Sequence, residues 1–276
     1  MNKCFITRLE SSIQGNNDLP YFGEVYLSIK GDRTNKNACI RINTGSDKIQ
    51  LFSDGNNLSF TNISEDLVNK LTVPPNSTKT VYFGGNEETY KVRLVSKYAK
   101  NVSIKNITSV PYKISINIDD LKYTLFKEIY LWGFPLTGNI SSIATMSNLT
   151  SFYSIYGSLE GDISSLKEKR NLISFGTDSK KVTGDISNLS NNIGLTTLCL
   201  LNSSITGKIE SLIEPLFKGG ANGTLNITGN YYVTLNNVVV GNNITIKVTF
   251  SNQGCTVSKN DTIIATFNND EWQYLS

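Results

Sequence analysis

A short motif recurs at a fixed interval in the middle of this chain, and it restricts the possible folds more than any other feature. A glycine followed by Asn, Asp or Lys and then by Ile returns every 23 residues, at Gly138, Gly161, Gly184 and Gly207. A fixed period between about 20 and 50 residues is typical of a solenoid, in which each coil packs on its neighbours. Because a solenoid presents an extended surface, the repeat favours recognition or assembly over catalysis.

Apolar residues recur with the same period before each glycine. They form two columns: Phe126, Leu149, Leu172 and Leu195, then Ile129, Phe152, Phe175 and Leu198. The fullest copy, residues 195–209, resembles a leucine-rich repeat of the L-x-x-L-x-L-x-x-N-x-L type with a plant-like G-x-I extension. Ser154 and Thr177 replace the usual strand leucine. The usual asparagine column holds Phe134, Gly157, Lys180 and Ser203, which predicts that no asparagine ladder bonds the turns.

The segments on either side of the repeat alternate apolar and polar residues between turn-forming clusters, as short antiparallel strands do. The predicted N-terminal strands are 24–29, 38–43, 79–83, 89–95 and 112–118. The predicted C-terminal strands are 224–228, 231–235, 243–250, and a hairpin over 255–267.

The predicted fold class is therefore mainly β, in three parts. Residues 1–117 are expected to form an antiparallel β-sandwich or barrel. Residues 118–217 are expected to form a leucine-rich-repeat solenoid of about four coils. Residues 218–276 are expected to form a β-rich C-terminal cap or oligomerisation module, because an uncapped solenoid end exposes apolar surface.

Composition argues against several classes of function. The chain has no histidine, so it has no Ser-His-Asp or Cys-His arrangement and no histidine metal ligand. Its net charge is +3 with scattered Lys and Arg, which does not predict nucleic-acid binding. The four cysteines are far apart and form no C-x-x-C pair; they fit a reducing cytoplasm, and a disulfide between distant cysteines stays open.

The beginning of the sequence lacks the continuous apolar stretch of a secretory signal. No run of about 20 apolar residues occurs either, so membrane insertion is not expected. Both observations predict a chain that stays in the compartment where it is made.

The acidic residues of the sequence do not predict a metal site or a catalytic pair. Asp162 and Asp185 occupy equivalent turns of neighbouring coils and could approach one calcium ion, but a calcium cage needs more oxygen ligands than this row supplies. The acidic pairs at 65–66, 87–88 and 119–120 are sequence neighbours, which does not place two carboxylates across a cleft. We therefore expect no catalytic residues, no metal and no cofactor.

The outward positions of the repeat strands supply the candidate partner-binding residues. In a leucine-rich repeat, the residues between the core leucines face the concave surface, and Tyr and Trp are enriched where proteins bind. The candidate residues are Glu128, Tyr130, Trp132, Tyr153, Ile155, Tyr156, Asp178 and Leu201. Two interpretations of the aromatic residues stay open: packing beneath the N-terminal module, or a docking surface for a protein or glycan.

The T-G-D-I-S type of repeat also suggests a family. The segments 183–187 and 160–164, with 54–56 and 96–98 in the preceding module, resemble leucine-rich-repeat virion proteins of crAss-like phages that infect gut Bacteroides. The resemblance implies a non-enzymatic structural, fibre-associated or decoration component of the virion, assembled in the host cytoplasm. It implies contacts with other virion proteins, a homo-oligomer, and recognition of a host-surface glycan or protein. The alternative is a bacterial cell-surface leucine-rich-repeat adhesin, which requires an export signal.

Overall fold

A computed structural model describes residues 24–30, 39–44, 48–60, 67–83, 89–95, 103–105, 116–122, 126–132 and 136–275. Over these residues the chain is mainly β, as predicted, and its strands belong to three sheets. The sheets contain four, thirteen and seven strands. The thirteen-stranded sheet, termed the long sheet, runs from the N-terminal strands through the repeat to the last strand of the chain.

The N-terminal strands are antiparallel and divide between two sheets. Four of them form the four-stranded sheet, in the spatial order β1-β7-β3-β5: β1 (Glu24–Lys30), β3 (Ile49–Ser53), β5 (Lys70–Val73) and β7 (Thr89–Val95). The others belong to the long sheet: β2 (Cys39–Asn43), β4 (Leu58–Ser59), β6 (Thr78–Phe83) and β8 (Ser103–Lys105). The first four predicted strands are confirmed. The predicted strand at 112–118 lies mostly outside the described residues.

Each repeat unit contributes one strand to the long sheet and one strand to the seven-stranded sheet. The long-sheet strands are β10 (Glu128–Trp132), β12 (Ser151–Ile155), β14 (Ser174–Thr177), β16 (Thr197–Cys199) and β18 (Gly223–Thr228). Those of the seven-stranded sheet are β9 (Ile116–Asn117), β11 (Leu136–Asn139), β13 (Ser158–Asp162), β15 (Val182–Asp185), β17 (Ser204–Lys208) and β19 (Val233–Leu235). Consecutive strands of each set pair in parallel.

Short helices follow the strands of the seven-stranded sheet. They are a 3-10 helix (Ile118–Leu121), α1 (Ser141–Ala144), two further 3-10 helices (Ile163–Leu166 and Ile186–Leu189) and α2 (Ile209–Lys218). Parallel pairing also continues outside the predicted repeat, since β8 pairs with β10 and β18 pairs with β16. These strands next to the repeat therefore extend the long sheet directly.

The C-terminal strands complete both sheets. They are β20 (Val238–Val239), β21 (Thr245–Ser251), β22 (Gly254–Lys259), β23 (Thr262–Asn268) and β24 (Glu271–Tyr274). β21 pairs antiparallel with β18, so the long sheet changes from parallel to antiparallel at that strand. The predicted hairpin is confirmed as β22 and β23, whose turn places Asn260 and Asp261 at φ values of +49° and +61°, as a type I′ turn requires.

The apolar columns of the repeat form its core, as their spacing predicted. Every member of both columns is buried, and seven of the eight are at most 1% exposed. The rings of Phe152 and Phe175 stack across neighbouring coils with centroids 5.9 Å apart. This core is continuous with buried residues of the N- and C-terminal strands, from Ile42 to Phe267.

The repeated glycine and the residue after it connect neighbouring coils. Asp162 Oδ1 accepts a hydrogen bond of 2.8 Å from the backbone N–H of Ser164 and thereby caps the following helix. The same oxygen lies 2.5 Å from where a Cβ on Gly184 of the next coil would stand. Gly184 also has a φ of +107°, which L residues rarely adopt. The motif therefore needs glycine both for its backbone and for the neighbouring side chain.

The other coils repeat this interlock. The pairs are Asn117 with Gly138, Asn139 with Gly161, and Asp185 with Gly207. It stops at Lys208, which gives no side-chain cap to α2. Lys208 pairs with Thr234, so the position equivalent to glycine in the next coil is Leu235, which has no positive φ. Where the capping side chain is missing, the glycine is missing too.

Buried polar side chains satisfy other turns of the repeat. Ser203 stands where leucine-rich repeats usually have asparagine, but Asn230 of the following coil is buried and donates to the carbonyls of Ser203 and Ile205. On another side of the coils, Lys169 Nζ donates to the Met146 carbonyl at 2.6 Å. Asn192 Nδ2 in turn donates to the Lys169 carbonyl. Burial lowers the pKa of the Lys169 amine to about 8.

The interlock predicts that Gly184→Ala destabilises the protein. The methyl group would meet Asp162 and the backbone would be strained, so we expect a loss of about 2–4 kcal/mol in the free energy of unfolding measured in urea. Gly194→Ala is the matched control, because nothing lies within 4 Å of an added Cβ there. In an Asp162→Ala background, the cost of Gly184→Ala should fall by about 1 kcal/mol. Equal costs for the Gly184 and Gly194 variants would contradict the interlock.

The lowered pKa of Lys169 predicts that the free energy of unfolding depends on pH. Between about pH 8 and pH 10.5 the amine is protonated in the unfolded chain but has lost its proton in the folded protein. The unfolded state therefore binds more protons, and stability rises with pH in this interval. Relative to Lys169→Met, the wild-type free energy of unfolding should increase by about 2 kcal/mol from pH 7.5 to pH 9.5. Lys181→Met, at a side chain 70% exposed, serves as the control and should show no such difference.

Candidate binding surface on the long sheet

Residues on the strands of the long sheet alternate between the core and one open face. Strand pairing arranges the outward residues in rows that cross the strands. The first row, termed the polar row, contains Glu128, Ser151, Ser174, Thr197, Asn226, Lys247 and Ser258. The second, termed the tyrosine row, contains Tyr130, Tyr153, Gly176, Cys199, Thr228 and Thr245.

The tyrosine row begins with Tyr130 and Tyr153, whose rings contact each other. The rings of Tyr130 and Tyr153 have centroids 4.9 Å apart and an interplanar angle of 38°. The Tyr153 ring lies over Gly176 of the next strand, where a Cβ would collide with it. A glycine inside a strand weakens the strand but allows close approach of another group. Here it makes room for a tyrosine from the preceding coil.

The surroundings of the Tyr153 ring change the pKa of its hydroxyl. Burial of the ring raises the pKa of its hydroxyl to about 12, and the nearby ionisable groups of Cys199 and Tyr130 act in the same direction. A hydrogen bond with the Thr197 side chain opposes this increase. Tyr153 therefore stays a neutral hydrogen-bonding group at any physiological pH.

A cavity opens beside the two rings. Its volume is about 280 Å³, and it is open to solvent on one side. It is lined by Glu128, Tyr130, Ser151, Tyr153, Ser174, Thr196 and Thr197. Two aromatic rings, four aliphatic hydroxyls and one carboxylate thus face the same space.

Three of the eight candidate residues line this cavity, and the other five are not among the described residues that line it. Glu128, Tyr130 and Tyr153 come together at the cavity, as the repeat spacing predicted. Trp132 is the last residue of β10 and pairs with Ile155, but its side chain lies outside what the structure describes. The predicted outward position of Ile155 is wrong, because this side chain is only 2% exposed and belongs to the buried residues.

The remaining candidates lie after the strands. Tyr156 is 63% exposed and has a φ of +68°. Asp178 follows β14; burial raises the pKa of its carboxyl, an effect that the backbone N–H groups of Tyr156 and Gly157 oppose. Asp178 also raises the pKa of the Cys199 thiol, although burial is the larger cause. Leu201 is partly buried beyond β16. None of these three candidates lines the cavity.

Sequence reasoning did not find two parts of the surface. Thr196 lines the cavity, but it precedes its strand and lies outside the alternation used to select candidates. Asn226, Lys247 and Ser258 extend the polar row beyond the repeat. The alternation at 224–228 predicted a strand, but no signal in the sequence indicated that this strand pairs with β16.

Hydroxyl groups predominate at the cavity. Among the described residues that line it, Glu128 is the single carboxylate, and the chain contains no histidine. Within the described ranges, His, Cys, Asp and Glu side chains form no group of three that could hold a metal ion. Asp162 and Asp185 instead cap helices. No helix in the described part of the chain is long and apolar enough to cross a membrane.

Comparison of the chain with protein-family models and with curated proteins finds no match.

The position of the Tyr153 ring predicts the effect of filling the space at Gly176. Gly176→Val should displace the ring, expose its hydroxyl and return its pKa towards 10. At pH 11 Tyr153 is about one-tenth ionised in the wild type, and the variant should show one additional tyrosinate by ultraviolet difference absorbance. Tyr153→Phe in the Gly176→Val background should remove that signal. Ser174→Val, an outward change on the same strand, is the control; an equal increase there would contradict the assignment to Tyr153.

Proposed function

We propose that this protein is a non-enzymatic recognition component, a virion appendage or decoration protein of a phage, that binds through the open face of the long sheet. The observation that carries the proposal is the pair of Tyr130 and Tyr153 beside an open cavity. Tyrosines supply large contact area with a polar end and are enriched at binding sites. The cavity contains one carboxylate and no histidine, which fits binding better than acid–base chemistry.

The proposed architecture serves this role. We assign residues 118–217 to a leucine-rich-repeat solenoid of about four coils, residues 1–117 to a β-sandwich or barrel, and residues 218–276 to a C-terminal cap. Parallel pairing of strands that are 23 residues apart supports the solenoid. Packing of the N-terminal strands in two antiparallel groups supports the sandwich. A rigid stack of coils would hold the face in a fixed position between the two flanking modules.

The resemblance to virion proteins of crAss-like phages supports the location. The protein is proposed to assemble into the virion after synthesis in the host cytoplasm, as a homo-oligomer in contact with other virion proteins. The open face would then be directed at the host surface. A cell-surface adhesin would use the same face, but would reach the cell surface by export from the bacterium itself.

Binding to cells and to phage particles tests the proposal. The fluorescently labelled full chain should bind Bacteroides cells in flow cytometry, and antibody against it should decorate intact phage particles in electron microscopy. Tyr130→Ala/Tyr153→Ala should reduce cell binding at least tenfold, because both rings at the cavity are lost. Tyr231→Ala/Tyr232→Ala removes two exposed tyrosines outside this face and should leave binding unchanged.

Three results would overturn the proposal. The first is a folded Tyr130/Tyr153 double variant that binds cells as well as the wild type. The second is decoration of uninfected cells without decoration of particles, which would favour the adhesin. The third is release of sugars from host polysaccharide by the purified protein, which would make the protein an enzyme.

A further inference from the structure

We infer that the partner of this face is a neutral polysaccharide chain that begins at the tyrosine cavity and lies along the polar row towards the C-terminal strands. The inference rests on the proposed function, since it names the ligand of the same surface. It extends the site beyond the repeat, onto β18, β21 and β22.

The charge of the face selects a neutral ligand. From β12 to β22 the polar row contains one charged residue, Lys247, and the other positions carry hydroxyl or amide groups. The described residues that line the cavity include no lysine or arginine. Phosphate, sulfate and carboxylate groups are bound best by charge-assisted donors, which these described residues do not supply. Uncharged hydroxyls, in contrast, can exchange hydrogen bonds with Ser, Thr and Asn side chains.

The tyrosine pair provides the apolar part of sugar recognition. The C–H faces of a sugar ring are apolar while its edges are polar, so a binding site needs an aromatic surface next to hydrogen-bonding groups. Tyr130 and Tyr153 stand beside Ser151, Ser174 and Thr197 at one cavity. The cavity volume of about 280 Å³ is small for a protein segment and suits a terminal sugar or a pair of sugars.

The geometry of the polar row matches a chain rather than a single sugar. The row crosses seven paired strands, and neighbouring strands in a sheet are about 4.8 Å apart, so it extends about 29 Å. One polar side chain thus recurs at a spacing comparable to the length of one sugar residue. A linear polysaccharide perpendicular to the strands could form equivalent contacts at each step.

A protein partner fits this face less well. Protein interfaces bury a central group of apolar and aromatic side chains, and the polar row contains no aliphatic residue. Exposed apolar side chains cluster around the β19–β20 hairpin, at Tyr231, Tyr232, Val238 and Val239. Those beside the polar row are single residues, Ile173 next to Ser174 and Ile263 opposite Ser258. The face and the hairpin therefore have different chemistry.

An oligosaccharide array followed by calorimetry tests the inference. The wild-type full chain should bind neutral oligosaccharides and should not bind their sulfated or uronic-acid counterparts. For a neutral series that binds, affinity should rise from two to about six sugars and then level off, because the polar row spans six strand-to-strand steps. Exclusive binding of acidic glycans, or no binding to any neutral glycan, would overturn the inference.

Two variants locate the chain on the surface. Tyr130→Ala/Tyr153→Ala should weaken binding of the disaccharide and the hexasaccharide at least tenfold. Asn226→Ala/Lys247→Ala, at exposed positions of the polar row, should weaken the hexasaccharide about fivefold and the disaccharide less than twofold. Val238→Ala on the hairpin should change neither. Circular-dichroism melting confirms folding of each variant, and equal hexasaccharide affinities for wild type and Asn226→Ala/Lys247→Ala would contradict the proposed path.

Treatment of the cells separates failure of this inference from failure of the proposed function. Periodate oxidation of cell-surface sugars should abolish binding of the wild-type protein, and proteinase treatment should not. If proteinase abolishes binding while periodate does not, and the tyrosines are still required, the face binds a protein and only the glycan inference fails. If the wild type binds neither cells nor particles, the proposed function itself fails.

Discussion

The interlock between a glycine and the capping side chain of the preceding coil is the constraint on which the rest of the structure depends. Asp162 satisfies a backbone N–H of its own helix and fills the space that a side chain at residue 184 would need. Each coil thus fits only against a neighbour in one register. Where Lys208 replaces the capping residue, Leu235 replaces the glycine and α2 replaces the short helix. The capping side chain and the glycine are absent together, because the capping side chain occupies the space that any residue other than glycine would need.

A fixed register between coils also places the outward side chains in rows. A parallel strand shifted by one residue would turn every side chain to the opposite face, so the polar row exists only because the turns hold the strands in place. The row continues past the repeat because β18 pairs in parallel with β16 and antiparallel with β21. Thr228 and Thr245, whose hydroxyls are 2.9 Å apart, connect the two regions on the open face. The open face with its rows of side chains is therefore a property of the whole sheet.

The sequence predicted what depends on period and alternation. The buried columns, the glycine turns and the hairpin at Asn260 and Asp261 follow from residues close in sequence or from one repeated spacing. It did not predict the burial of Ile155, the role of Thr196 or the strand β24, because these depend on neighbours that come from other parts of the chain. The position of the Tyr153 ring over Gly176 was not predicted for the same reason. The ring fits there because residue 176, which is 23 residues further along the chain, has no side chain.

Two of the strands beside the cavity carry a polar side chain inside the core. β12 carries Ser154 and β14 carries Thr177 at buried positions where leucine is usual. The Ser154 hydroxyl has no hydrogen-bond partner among the described residues, which costs about 1–3 kcal/mol. Gly176, in the same strand as Thr177, gives up strand stability to accept the Tyr153 ring. Residues that lower the stability of a fold without an evident structural gain are expected at functional sites. The strands that carry these core positions thus also contribute Ser151, Tyr153 and Ser174 to the tyrosine cavity, together with residues of β10 and β16.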